Sequence, residues 1–211
     1  MARVLVIGAS SGIGLETTRQ ALAAGHEVRA FARSALGISL VDPRLEKVAG
    51  DALKSADVEA ALRDVDVVIQ VLGVKFATLF KPVSLFSEAT RILVAAMAAS
   101  STRRLICVTG FGAGDSRMSI GLLQRLPFHL VFGHAYGDKS EQERLIKASP
   151  LDWTIVRPGV LTGGAGTGRY KVLVDAAQWR NGVISRANVA DFLVRLINDR
   201  SYVGKTPVLV G

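Results

Sequence analysis

The sequence predicts an α/β protein: one domain built on a doubly wound parallel sheet with helices on both faces. Three observations predict it. Short β-branched runs alternate with helical patterns from the third residue onward, the order expected of strand–helix–strand units. These runs are apolar at nearly every position, so each strand must be covered on both faces. The chain of 211 residues suits a single domain with a sizeable core. Right-handed crossovers between parallel strands then leave the doubly wound sheet as the solution.

Arg3–Ile7 reads as a buried first strand, stopped by Gly8. Residues 13–24 predict a helix with Ile13, Thr17, Ala21 and Ala24 on one face and Gly25 positioned for a left-handed cap. Glu27–Ala32 is strand two, and after a Ser/Gly/Pro-rich loop Leu45–Ala49 is strand three. Residues 55–62 predict a brief helix and 66–71 a fourth strand. Residues 84–99 are helical, with Leu85, Ala89, Ile92, Leu93 and Ala96 inward. Residues 104–109 form strand five. Residues 110–137 are rich in glycine and lack a steady period, which predicts an irregular lid or substrate segment. A helix over 138–148 opens on Asp138 and Glu141, spaced as a capping box, and is stopped by Pro150. Strand six covers 153–156. The tail holds one or two short strands, a helix over 188–197 capped by Asn188, and a last strand over 207–210. No repeat, low-complexity tract or second domain is visible.

The net charge is +8, with a pI near 10.1. The cations are dispersed, no basic run exceeds the pair Arg103-Arg104, and aromatics make up 6% of the chain. That pattern describes a solvated basic surface, favourable to an anionic small ligand, and not a nucleic-acid reader. The longest uninterrupted apolar stretch, residues 92–99, falls far short of the roughly 20 residues of a membrane span. One cysteine cannot form an internal disulfide, and no charged-then-apolar leader pattern opens the chain, so a reducing, cytoplasmic setting is expected. Three histidines and one cysteine, with no clustered carboxylates, offer no zinc site.

The sharpest local signal is Gly8-Ala-Ser-Ser-Gly12-Ile-Gly14, set between a buried strand and a helix. Glycines permit the turn and a close backbone approach, and the helix N-terminus offers free N–H groups to a phosphate. Ser10, Ser11 and Ile13 belong to the same cradle, the serines able to reach phosphate oxygens.

This spacing resembles that of the short-chain dehydrogenase/reductase superfamily. Further matches point to its atypical NAD(P)H-binding branch, which includes flavin and biliverdin reductase-like, quinone reductase-like and NmrA-like proteins. They are Gly50-Asp51 after strand three, Asp138-Lys139 with Glu141 and Glu143, Leu151-Asp-Trp-Thr-Ile-Val-Arg-Pro-Gly159, and Ile184-Ser-Arg-Ala-Asn-Val-Ala-Asp191. Together they span most of the chain. The resemblance implies a Rossmann-type fold and a nicotinamide dinucleotide, and it is poorly specific for substrate.

Cofactor choice follows from charge. An NAD-preferring fold places an acid at the end of strand two, whereas this chain has Arg33-Ser34 there. A guanidinium fork suits a 2′-phosphate, so NADP(H) is expected over NAD(H). The resemblance further implies an adenine contact at Asp51 and Ala52, where the aspartate could equally cap a turn. It implies a ribose-side backbone passage at Leu72, Gly73 and Val74. It sets Pro158, Gly159, Val160 and Leu161 against the nicotinamide.

Tyrosine-dependent members use a Ser or Thr hydroxyl and a Tyr-x-x-x-Lys pair. Thr109 can supply the hydroxyl or satisfy local backbone. Lys139 matches the lysine, expected to bind ribose and stabilise negative charge. Ala135 stands where the tyrosine would be, and Tyr136 is displaced by one. Residues three apart are neighbours on a helix, but Gly137 and the capping box place Tyr136 before the helix begins. His134, in the lid segment, is a second candidate donor, and Phe128, Leu130 and Phe132 could line an apolar slot or simply pack. Cys107 reads as core.

The expected function is hydride transfer between NADP(H) and a small apolar or planar substrate: a flavin, quinone or carbonyl compound. Alternatives are an NADP(H)-sensing regulator without turnover and a nucleotide-sugar epimerase or dehydratase. The chain is expected to act as a monomer or homodimer, with no nucleic-acid or membrane partner.

Overall fold

The computed structural model describes residues 1–74, 83–119 and 122–211 and, of these, the side chains outside 117–134. The chain runs β1 (Arg3–Ile7), α1 (Gly12–Ala23), β2 (Glu27–Ala32), β3 (Leu45–Ala49), α2 (Ser55–Ala61), β4 (Val67–Gln70) and α3 (Leu85–Ala98). It continues through β5 (Arg104–Val108), α4 (Leu122–Lys147), β6 (Asp152–Pro158), β7 (Val160–Thr162), β8 (Lys171–Leu173), β9 (Val183–Ser185), α5 (Arg186–Arg195) and β10 (Val208–Val210).

Eight strands form one sheet in the order β3-β2-β1-β4-β5-β6-β10-β8. All neighbours are parallel except β8, which runs antiparallel to β10. β7 and β9 form a separate parallel pair. The winding reverses between β1 and β4. Such a switch point opens a crevice beyond the strand C-termini, where open α/β sheets bind ligands.

The period-2 alternation of side chains divides each apolar strand between two cores. Val4, Val6, Val28, Ala30, Ile69 and Ile106 face Ala21 and Leu22 of α1 and Val189, Phe192 and Leu193 of α5. Leu5, Ile7, Val68, Leu105 and Ile155 face the other way, against Val58, Ala61, Ala89, Leu93, Met97 and Ile146 of α2, α3 and α4. This two-sided burial explains why the strands are apolar without alternation. The expected fold is therefore the observed one, and Gly25, at φ +86°, caps α1 as anticipated.

The principal departure is α4. The stretch 110–137, expected to be irregular, is a short 3₁₀ turn over Gly114–Ser119 followed by helix from Leu122. α4 runs on through Pro127, Gly133 and Gly137, the three residues whose low helix propensity concealed it. Packing of α4 on α3 overrides that propensity, since most helix stability in proteins comes from tertiary contacts. The capping box is also corrected. Asp138 lies inside α4 and caps α3 instead, its carboxylate accepting from the N–H groups of Phe86 (2.8 Å) and Ser87 (3.2 Å).

Smaller departures have local causes. Phe86 and Met97 join Ala89, Leu93 and Ala96 on the buried face of α3, while Leu85 and Ile92 are half-buried. β6 extends to Pro158 because β10 pairs with it there. α5 starts at Arg186, capped by Ser185, whose Oγ accepts from Asn188 N–H at 3.1 Å. Asn188 does not cap its helix. Its Oδ1 accepts from Thr167 and Gly168 N–H, fastening the preceding loop.

Candidate functional site

The C-terminal ends of β1, β4, β5 and β6 converge on the crevice. At β1, Gly12 adopts φ +55°, a conformation L side chains rarely take. A β-carbon on Gly14 would stand 2.1 Å from the carbonyl oxygen of Gly8, so the first turn of α1 can approach the strand only because residue 14 is glycine. Ser11 occupies the N-cap position but makes no side-chain cap, and the first turn of α1 holds no acid. Its N–H groups are thus left for an exogenous anion. Space over Gly12 is open up to the side chain of Arg186, 3.9 Å from an added β-carbon. This is a cradle that a side chain would fill and that a diphosphate fits.

The neighbouring strands carry the other expected contacts. Arg33, just past β2, is exposed, with no bonded partner among the described residues. Asp51 follows β3 and forms a local turn, its Oδ1 accepting from Leu53 N–H at 3.1 Å and its own N–H donating to Asp57 at 2.9 Å. Ala52 beside it is buried. Leu72, Gly73 and Val74 leave the end of β4, with nothing within 4 Å of a β-carbon on Gly73. Pro158 ends β6, and Gly159 carries the chain into Val160 and Leu161 of β7.

The polar centre lies between β5 and α4. Because α4 is continuous, Tyr136 and Lys139 share one helix face, and the structure brings them together with Thr109. Lys139 Nζ donates to the carbonyl oxygen of Thr109. It lies 5.0 Å from the centroid of the Phe86 ring and 5.7 Å from that of Tyr136. Gly110 leaves room for the phenol: a β-carbon there would stand 2.9 Å from Tyr136 Oη. The Thr109 hydroxyl donates to Glu143 Oε1 at 2.8 Å. Glu143 also receives Arg157 Nε at 2.9 Å.

Burial dominates the electrostatics. It lowers Lys139 to about 8, against the pull of Glu143, and pushes Tyr136 up to about 12. The Cys107 thiol is raised by complete burial within β5, as its reading as a core residue requires. The side chains of His134, Phe128, Leu130 and Phe132 lie outside the described residues. Sequence reasoning missed Glu143 and Arg157 as organisers of Thr109, and it missed Arg186 beside the glycine turn. Glu143 and Arg157 lie 14 positions apart but in different elements, α4 and β6, so no spacing rule links them.

A parallel sheet that switches direction beside an uncapped glycine turn, with an arginine past β2, defines a Rossmann-type dinucleotide-binding domain. The chain belongs to the NAD(P)H-binding family, whose model matches residues 8–200. Its resemblance to the atypical short-chain dehydrogenases/reductases is borne out by its structural neighbours. The anaerobillin reductase of Escherichia coli O157:H7 is 27% identical with a TM-score of 0.82, covering 99% of this chain and 96% of that one. An uncharacterised chloroplastic protein of Arabidopsis thaliana is 28% identical over 92% of this chain and 71% of its own length. A Veillonella parvula short-chain dehydrogenase/reductase solved in complex with NADP shares the fold at 16% identity, TM-score 0.79, over 100% and 94% of the two chains. Among the described residues, no helix is long and apolar enough to cross a membrane.

Proposed function

We propose that this protein is an NADP(H)-dependent oxidoreductase that reduces a small planar or apolar acceptor, such as a flavin, quinone or carbonyl compound. The observation that carries the reading is the half-buried ammonium of Lys139, held by α4 against the end of β5 on the same crevice as the glycine turn. Similarity to an anaerobillin reductase over nearly the whole of both chains supports reductase chemistry. The dinucleotide would lie with its diphosphate on Gly8, Ser10, Ser11, Gly12, Ile13 and Gly14 and its 2′-phosphate on Arg33. Adenine would meet Asp51 and Ala52. Its ribose and nicotinamide would pass Leu72, Gly73 and Val74 toward Thr109, Lys139 and the backbone of Pro158, Gly159, Val160 and Leu161.

When bound, the nicotinamide supplies the hydride. The protein's part is to orient the acceptor and stabilise charge that develops on it. A cation in a site shielded from water does this more strongly than one in bulk solvent, and Lys139 is placed to do so. Tyr136 is the candidate proton donor, since its hydroxyl reaches the end of β5 at Gly110. The segment 110–137 forms the substrate side.

The test is purified protein mixed with NADPH and a panel of quinones, flavins and aldehydes, followed by loss of reduced-nicotinamide absorbance. Consumption that depends on the acceptor is expected. Tight NADPH binding with no consumption for any acceptor would replace this reading by that of a redox sensor.

A further inference from the structure

Arg186 begins α5, within the stretch Ile184 to Asp191 that carries the family resemblance. Among the described residues it is the one arginine that is both partly withdrawn from solvent and without a hydrogen bond, ion pair or ring partner. The other described arginines that are not fully exposed are all engaged: Arg3 with Glu27, Arg29 with Glu46, Arg44 with Asp42, Arg104 with carbonyl oxygens, and Arg157 with Glu143. An unpaired guanidinium beside an anion cradle can take up a phosphate without first giving up another partner.

The backbone around Arg186 is fixed from three sides. Ser185 pairs with Thr162 across β7 and β9 and caps α5 through Asn188 N–H. The carbonyl oxygen of Ala187 accepts from Gln20 Nε2 of α1 at 2.9 Å. Asn188 ties down the loop at Thr167 and Gly168. From that anchor the side chain reaches the first turn of α1, with Cδ and Nε both 3.9 Å from a β-carbon on Gly12. Neither α1 nor α5 has an acid in its first turn, so no residue there competes for the guanidinium.

We infer that Arg186 is a clamp on the dinucleotide's diphosphate, closing over it from the α5 side while the α1 amides hold it from below. The inference rests on the nucleotide placement given under Proposed function. A guanidinium matches phosphate oxygens as a planar fork, and in this position it also ties the β7–β9 pair to the occupied glycine turn. Its role differs from that of Arg33. Arg33 would discriminate NADPH from NADH, whereas a diphosphate clamp acts on both alike.

The test measures the affinities of wild type, Arg186→Gln and Arg186→Lys for NADPH, NADH and 2′-AMP, which lacks a diphosphate. Circular dichroism confirms folding. For Arg186→Gln, affinity should fall about tenfold to hundredfold for both dinucleotides, with 2′-AMP unchanged. Arg186→Lys should recover part of the loss and keeps the test open should the glutamine variant not fold. A loss confined to NADPH and 2′-AMP would assign Arg186 to the 2′-phosphate and overturn the clamp. Unchanged affinity for both dinucleotides would overturn it as well. If the wild type binds neither dinucleotide, the nucleotide placement itself fails, and the clamp with it.

Discussion

Arg157 and Glu143 form an ion pair from which water is shut out on both sides. Nη2 lies 2.5 Å from Oε2, and the side chains are 0% and 1% exposed. The pair ties the end of β6 to α4, and Glu143 passes the constraint on to Thr109 at the end of β5. Asp115 accepts from the same Arg157 Nη2, and Lys147 bonds to Asp115 at 3.2 Å. The Trp179 ring lies 4.9 Å from the guanidinium. Two acids and two bases thus balance around a point next to the crevice.

Breaking this pair should be expensive because it strands a charge. Glu143→Ala leaves Arg157 buried with only the half-exposed Asp115 for compensation. Removing one partner of a buried pair costs on the order of 3–5 kcal/mol. Glu143→Gln keeps shape and an acceptor oxygen and should cost less. Denaturant unfolding of the two variants measures the difference. A cost for Glu143→Ala below about 1 kcal/mol, the range of exposed pairs, would mean that the pair is not shielded as described.

Cofactor preference should follow Arg33. Arg33→Asp reverses the charge at the end of β2, where an acid suits a ribose 2′-hydroxyl and repels a 2′-phosphate. A charged hydrogen bond contributes about 1.5–3 kcal/mol, so NADPH affinity should fall about tenfold to hundredfold while NADH affinity holds or rises. Calorimetric titration with both nucleotides decides it. Equal losses, or none, would remove Arg33 from the site.

Gly12→Val should abolish nucleotide binding without unfolding the chain. At φ +55° a β-branched residue is strained, and its methyl groups would enter the space between the α1 amides and Arg186. The turn is at the surface, so circular dichroism should change little. Unchanged NADPH affinity in the folded variant would contradict the phosphate placement.

Why the sequence revealed some of this and not the rest follows from how local each signal is. The strands and the glycine turn were legible because period and burial act over a few neighbouring residues, as in Arg3–Ile7 and Gly8 to Gly14. α4 was not legible, because Pro127, Gly133 and Gly137 argue locally against a helix that α3 stabilises from outside. The same error hid the partnership of Tyr136 with Lys139, since a helix starting at Asp138 would exclude the tyrosine. Asp138 shows the limit clearly: its spacing to Glu141 imitates a cap, while its carboxylate serves Phe86 and Ser87, more than fifty positions earlier. Arg186 sat in a recognised motif, yet only the packing of α5 on α1 brings it to Gly12.

Lys139 offers the last test, through pH. Burial lowers it from 10.5 to about 8. In the unfolded chain it keeps its proton to the ordinary value, so between those limits the unfolded state binds more protons and stability rises with pH. Cys107 and Tyr136 work in the opposite sense: burial raises both, and the unfolded chain sheds their protons first. Lys139→Met retains both groups, so the difference between wild type and variant isolates the lysine. Between roughly pH 7.5 and 9 that difference should move in favour of the wild type by about 1 kcal/mol. Turnover should move the other way, because only the protonated amine can stabilise negative charge on the acceptor, and wild-type kcat should fall as pH rises through about 8. Lys139→Met should be slow at every pH, with the loss mainly in turnover if the charge acts in the transition state, or mainly in nucleotide affinity if the lysine holds the ribose. Tyr136→Phe removes one hydroxyl and should matter less, because Lys139 alone keeps the family's position. A large loss from Tyr136→Phe beside a silent Lys139→Met would reverse the two assignments.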